Sequence, residues 1–511
     1  MNICKLRKIY VAGLLLLFIL FPACNDEWNA HYDAGSSVPG ENLWQIIRTH
    51  SELSVFTEMI KISGYDEQLS SSQAYTVFAP VNDALRNIDL TDTATVKKIV
   101  GNHIAKYSTP VSGLSESRLS MLNGKYVLFQ SLSTDAFFGG MKIVERNIAA
   151  SNGILHSIEN IAPYQENIWQ FIGQSKDVEL LKNYLYSFNE RVFMPSLSKI
   201  LDMTADGKTV YDSVFINTNR MFYTLGYLND ESYTYTTILP TNTAWNEAYG
   251  RIKEYYKYNN KIEGDSLQKM YTNTAIVRNL SFAGIHENPE LSDSLVTSWG
   301  NVFYNPGYLF EGAIKTSASN GLIYTTDLLK YKTDSWHAPI IVEAENYVGR
   351  DNTVSAVYTR TIYQSKVGVI SDNRYIEVIP NNSSARPTVT FSIPGTLSAK
   401  YNIYCVFLPG NVADESNVNE KTKVNFTLFY IQDSGKSGSQ TFNPVNNETS
   451  PTEITKMLVA ENFKFPFANY GEKTVTVSLR VSNTVASTET TVYNRNMRID
   501  CIILEPADVQ P

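Results

Sequence analysis

The sequence predicts a multidomain protein of mixed α+β and all-β class: two tandem α/β domains followed by a C-terminal β-sandwich of jelly-roll type. Three observations predict it. A chain of 511 residues exceeds what one hydrophobic core sustains, since cores stop growing at about 250 to 300 residues. One ordered set of segments between residues 41 and 333 occurs twice. From residue 338 onward the pattern turns to alternating or wholly apolar runs.

The first element is a leader. Lys5, Arg7 and Lys8 precede an apolar run from Ile9 to Phe21, and "FPAC" follows. The run is short for a membrane span, and its basic flank and small residues read as a secretory signal peptide over 1–23. "FPAC" resembles a bacterial lipobox, which implies cleavage before Cys24 and lipidation of that residue. Buried acyl chains anchor by about 0.8 kcal/mol per methylene. Residues 24–40, polar and containing Gly, Ser and Pro, are expected to be the lipidated tether. The acidic residues after Cys24 resemble the export signal of surface lipoproteins in Bacteroidetes-type bacteria, so the expected location is the outer membrane, lipid-anchored and facing the cell exterior.

The two α/β segments span 41–164 and 165–333. "ENLWQIIRTHSELSVFTEMIKISG" from Glu41 has apolar residues at helical spacing, and "ENIWQFIGQSKDVELLKNYLYSFN" from Glu166 echoes it. The strand "YTVFAP" at Tyr75 is matched by "YTTILP" at Tyr235. Each copy closes on Ala-Ser-Asn-Gly and an apolar run, around Gly153 and Gly321. Asn-Gly is expected to supply the positive φ angles of a tight turn, and the tetrapeptide reads as shared scaffold. The second copy carries insertions near "MPSLSKILDMTADGKTVYDS" and "GYLNDESYT".

These motifs resemble the fasciclin-1 (FAS1) domain family over about residues 41 to 332. Thr76, Val77, Phe78, Ala79, Pro80, Asn82 and Ala84 carry the resemblance in the first copy, with His103 and then Asn152, Gly153, Ile154, Leu155, His156, Ile158 and Pro163. The second copy keeps Pro240, Asn242, Ala244, Asn320 and Gly321. It has Tyr324 in place of His156 and Asn279 near the place of His103. The resemblance implies adhesion or protein interaction.

Residues 338–508 are expected to form a sandwich of about eight strands from runs such as "RYIEVIP", "KYNIYCVFLPG" and "KVNFTLFYIQ". "IIVEAENYV" and "MRIDCIILEP" resemble the bounding strands of carbohydrate-binding modules. That resemblance implies a structural calcium site with Glu343 and Glu345 on one strand face. Trp336, Tyr358, Tyr363 and Tyr375 are candidates to stack on sugar rings. Cys405 and Cys501 leave two readings open: a disulfide, which an exported location permits, or two buried thiols in neighbouring strands.

Chemistry is sparse. The six His show no close metal-ligand pairing, and no phosphate loop or Gly-x-Ser-x-Gly motif occurs. His103 and His156 lie in apolar stretches and are expected to be buried and hydrogen-bonded. The net charge of −8 and the absence of a basic cluster beyond the leader exclude an electrostatic footprint for nucleic acid. The expected function is a non-catalytic surface lipoprotein, with no cofactor beyond the structural calcium. Its expected role is a binding or accessory subunit beside a SusC/SusD-like uptake system for glycan or peptide. FAS1-mediated cell adhesion is one alternative. A glycan hydrolase with carboxylates dispersed over the sandwich loops is the other.

Overall fold

The computed structural model describes residues 40–412 and 420–507; the expected signal peptide, Cys24 and nearly all of the tether lie outside the described residues. The chain forms two compact units, divided between Gln165 and Glu166. No helix among the described residues is long and apolar enough to cross a membrane.

In the first unit a capping box starts the structure: Asn42 accepts from the Gln45 N–H while the Gln45 side chain accepts from Asn42, opening the helix Leu43–Ile47. The helix Ser54–Ser63 buries Phe56, Met59 and Ile60 and stops at Gly64 in the left-handed region. These apolar faces cover a seven-stranded sheet. Its strand Tyr75–Pro80 runs antiparallel to Ile104–Lys106 and parallel to Gly153–Ile158, with Tyr75 opposite Gly153 and Pro80 opposite Ile158. All six residues of Tyr75–Pro80 are buried.

The second unit repeats that register. Tyr235–Pro240 runs antiparallel to Ser281–Ala283 and parallel to Gly321–Thr326, with Tyr235 opposite Gly321 and Pro240 opposite Thr326. The insertion near "MPSLSKILDM" is a long hairpin. Asn189–Phe193 pairs with Phe215–Asn219, and beyond a kink Lys199–Met203 pairs with Thr209–Asp212, each as a two-stranded ribbon.

A sandwich follows in the same unit. One sheet orders 355–361, 374–380, 497–506, 400–407 and 455–464, with 340–343 also paired to 497–506; the other orders 347–350, 388–392, 478–483, 424–431 and 437–442. Eleven strands thus stand among the described residues where the sequence suggests about eight. The run "IIVEAENYV" is not one strand. The turn Ala344–Asn346 breaks it, sending Ile340–Glu343 to the first sheet and Tyr347–Arg350 to the second. One apolar cluster runs from Ile168 through Trp336 to Leu504, so the α/β part and the sandwich share a core.

Main-chain hydrogen bonds seal that junction. The Ser398 N–H donates to Tyr255 O (2.8 Å) and the Ala468 N–H to Lys257 O (2.7 Å). The Tyr258 hydroxyl donates to Tyr470 O (2.8 Å), and Tyr470 packs edge-on against Tyr271 (5.1 Å) and Tyr256 (5.6 Å).

The Ala-Ser-Asn-Gly turns are built differently from the expectation. Only the glycines have positive φ, +148° and +152°, and a Cβ on either would collide with the carbonyl oxygen of Tyr75 or Tyr235. The asparagines act as staples. Asn152 Oδ1 accepts from the Leu43 N–H (2.7 Å) and its Nδ2 donates to Leu69 O and Ser71 O; Asn320 does the same with Ile168, Leu228 and Asp230.

Candidate functional site

The four aromatic candidates separate into two pairs. Trp336 is 4% exposed, with the Arg251 guanidinium 5.5 Å from its ring and Tyr255 packed edge-on. It is part of the junction core, not a sugar platform. Tyr375 is 6% exposed and packs with Ile362, Ile370, Leu408 and Val412 in a small satellite core, so it is not a platform either. Tyr358 and Tyr363 are exposed, Tyr358 with Arg360 5.2 Å from its ring.

Cys405 and Cys501 are free and buried. The disulfide reading is corrected by register: Cys405 lies opposite Ile502 and Val406 opposite Cys501. Opposed residues share a face and successive residues alternate, so the two thiols point to opposite sides of the sheet. Burial pushes the Cys501 thiol up to about 12.

Glu343 and Glu345 do not share a strand face; Glu343 ends a strand and Glu345 sits in the turn after it. The turn nevertheless brings both near Asp500 in the closing strand. Asp500 Oδ1 accepts from the Ser371 N–H (3.1 Å), and the Ser371 hydroxyl donates to Glu343 Oε1 (2.7 Å). Glu345 Oε1 lies 3.3 Å from Arg374 Nε. Glu343 Oε2 and Glu345 Oε2 are buried without a hydrogen-bond partner. Burial, with the charges of Glu343 and Glu345 beside it, pushes Asp500 up to about 7. Two carboxylates with spare oxygens beside a third suit a hard cation. The group whose ligand atoms all fall within 4.8 Å among the described residues is another, His50, Glu52 and Glu145, half-buried to exposed at the surface of the first unit.

His103 and His156 are fully buried. His103 Nδ1 bonds to Ile99 O (2.7 Å) and Nε2 accepts from the Ala162 N–H (2.9 Å). His156 Nδ1 accepts from the Asn147 N–H (3.1 Å) and Nε2 bonds to Thr109 O (3.2 Å). Burial lowers both to about 4, so each ring is a neutral strut. In the second copy Tyr324 stands opposite Ile238 as His156 stands opposite Phe78. Leu280, not Asn279, takes the place of His103: its carbonyl accepts from Ile238 as that of His103 accepts from Phe78.

Sequence reasoning missed a cleft at the junction of the second α/β part and the sandwich. Its lining includes Asn259, Asn260, Tyr430, Phe467, Glu472 and Thr474, and its volume is ≈ 220 Å³. Asn259 Nδ2 donates to Gly435 O (2.9 Å), which fixes that wall. Asn469 is spent on the Thr474–Thr476 loop, holding the other wall. Glu472 is half-buried, makes no hydrogen bond or ion pair among the described residues, and is the one carboxylate in the lining. Phe467 is half-buried, with the Lys257 ammonium 5.7 Å from its ring. Amides, a hydroxyl, a carboxylate and ring faces converge there. No sequence signal marks it, because its walls come from stretches some two hundred residues apart.

Comparison with curated proteins finds none that matches. Among solved structures, a FAS1 domain pair from the insect cell adhesion molecule fasciclin I aligns at 14% identity and a TM-score of 0.21, covering 56% of this chain and 98% of that one. A family 35 carbohydrate-binding module from Clostridium thermocellum aligns at 10% identity, TM-score 0.19, covering 33% of this chain and 99% of its own. A xylan-binding domain of family 22 aligns at 15% identity, TM-score 0.18, covering 32% and 98%. Likenesses at this level say nothing of function. Residues 51–162 match the model of the fasciclin domain family, and this stretch of the first unit is a fasciclin domain.

Proposed function

We propose that this protein is a non-catalytic, lipid-anchored surface protein that holds a glycan for uptake, with its sandwich as the sugar-binding part. In this reading Cys24 carries the lipid in the outer membrane, facing the exterior. The second α/β part is a divergent FAS1 domain serving as the mount for a carbohydrate-binding module. The partner is a SusC/SusD-like transporter, and nucleic acid is no ligand.

The observation that carries the reading is the junction cleft. Sugars are bound by ring faces that stack and by amides, hydroxyls and carboxylates that hydrogen-bond. Phe467, Tyr430, Asn259, Glu472 and Thr474 supply that set on two fixed walls. A single carboxylate in the lining favours binding over the hydrolase alternative, which needs a pair. Glu343, Glu345 and Asp500 are proposed to hold a calcium ion whose role is to tie the turn Ala344–Asn346 to the closing strand. The fasciclin domain favours a second reading, attachment to another surface.

Full-length protein extracted in detergent and applied to an immobilised polysaccharide panel tests the first reading. Retention on at least one glycan is expected, with Phe467→Ala or Asn259→Ala weakening it about tenfold, the scale of about 1.4 kcal/mol. Release of reducing sugar that Glu472→Gln abolishes would overturn the non-catalytic assignment. Glycan retention untouched by all three variants would remove the cleft from the function. Co-purification of a transporter subunit is expected; attachment to cells without it would favour adhesion.

A further inference from the structure

The hairpin inserted in the second α/β part builds a cleft at its base, apart from the junction. The lining takes Trp169, Phe222 and Asn229 from the α/β part and Asn189, Arg191 and Asn217 from the hairpin, around a volume of ≈ 460 Å³. That volume is in the range of ligand pockets. Tyr186 stacks on the Trp169 ring at 4.5 Å, its hydroxyl donates to Trp169 O (3.1 Å), and Phe222 stands edge-on to the ring at 5.0 Å, so the indole is fixed in place. The first copy keeps this tryptophan as Trp44, with Arg48 5.7 Å from its ring. It passes from the helix Ser54–Ser63 to the strand Tyr75–Pro80 by way of the short helix Asp66–Ser70, so the hairpin wall belongs to the second copy.

Register determines what that wall offers. Asn189 lies opposite Asn219 and Arg191 opposite Asn217, and opposed residues share a face while successive ones alternate, so these four project to one side. Asn219 donates to Leu185 O (2.7 Å), beside Tyr186, which sets that side toward Trp169. Glu190 and Thr218 project to the other side, where Glu190 lies 3.4 Å from Arg220. The one carboxylate in the lining is therefore turned away from Arg191 and paired elsewhere. The Arg191 guanidinium lies 4.3 Å from the Phe215 ring and makes no hydrogen bond or ion pair among the described residues. The side-chain amides of Asn217 and Asn229 are likewise uncommitted among the described residues, and Asn167 fixes the Asn229 main chain by donating to its carbonyl (3.3 Å).

We propose that this cleft binds a glycan carrying uronic acid residues, at a site separate from the junction cleft. A sugar ring lies on the indole, and its hydroxyls, which both donate and accept, match amides that do the same. The carboxylate takes the guanidinium fork, which presents parallel N–H donors to both of its oxygens. A neutral glycan leaves that fork unused, and an acidic peptide leaves the ring unused. The net charge of −8 opposes loose adsorption of a polyanion, so binding one requires a local cation.

Full-length protein extracted in detergent and run in native gels containing polygalacturonate, alginate, glucuronoxylan or hyaluronan tests this, with the carboxyl-reduced form of each polymer and poly-glutamate run beside them. Retardation by at least one of the four is expected, lost on carboxyl reduction and about tenfold weaker in Arg191→Gln and in Asn217→Ala. Both side chains are exposed, so neither change threatens the fold. Phe467→Ala should leave this retardation as it is while weakening retention at the junction cleft, so the two sites are read separately. Several results would each overturn the proposal: no retardation by any of the four, equal retardation by the reduced polymers, wild-type retardation in either variant, loss in Phe467→Ala instead, or an equal Arg191-dependent retardation by poly-glutamate.

Discussion

At the scale of single residues, Gly153 and Gly321 hold the one position in each copy where a Cβ would strike the neighbouring strand's carbonyl oxygen. The sequence shows the tetrapeptide as scaffold, and scaffold it is. The reason was not visible in it: Asn152 and Asn320 reach back to segments 81 and 92 residues away, which no local turn rule describes. His103 and His156 are the residues with a pH signature. Both are lowered from 6.5 to about 4 by burial, so between those values the unfolded chain binds the proton and the folded one does not. Stability is therefore full above pH 6.5 and is lost as pH falls toward 4, by roughly 3 kcal/mol for each ring. Denaturant midpoints of wild type at pH 7 and pH 5 should differ accordingly, and His103→Gln should shrink the difference at some cost in stability. A pH-independent midpoint would refute the assignment of neutral rings.

At the scale of elements, the turn Ala344–Asn346 decides most. "IIVEAENYV" reads as one strand because its apolar residues alternate, yet the turn splits it between two sheets and so carries Glu345 toward Asp500. Asp500 was not legible as a site residue: "MRIDCIILEP" also carries Glu505, and the partners of Asp500 are not near it in sequence. Ser355–Thr361 and Ser437–Phe442 were not legible as strands, since most of their side chains are exposed and they lack a clear apolar face. In the absence of metal, a native Asp500 raised to about 7 keeps its proton longer than the unfolded chain does. Its contribution is then present at low pH and declines as pH rises through 7. A cation competes with that proton. Millimolar calcium should raise the melting temperature more at pH 8 than at pH 5.5, by the equivalent of about 2.7 kcal/mol at a hundredfold excess over Kd. Asp500→Asn should remove the calcium effect while leaving the metal-free protein folded. Equal shifts in wild type and variant would place any bound calcium elsewhere.

At the scale of the whole molecule, the chain reads as three folded parts but builds two compact units. Helical spacing and strand alternation locate the parts; they cannot show that Tyr255 supports Trp336 and His337, or that His337 stands edge-on to Tyr401 at 4.7 Å. Trp336 looked like an exposed platform because an aromatic between two domains has no periodicity to betray its burial. Its role in the shared core makes a prediction about cooperativity. Residues 166–507 should unfold in one transition, because separating the sandwich from the α/β part would expose Tyr256, Trp336, Tyr401 and Phe465 together, all buried in the native unit. Calorimetry of the full chain should therefore show two transitions. Trp336→Ala opens a cavity in the shared core and costs about 3 to 5 kcal/mol, so it should lower only the transition of the larger unit, moving it as a single peak. Three transitions in the wild type, or a larger-unit peak that splits with only one half displaced, would mean that the sandwich and its mount fold as separate domains.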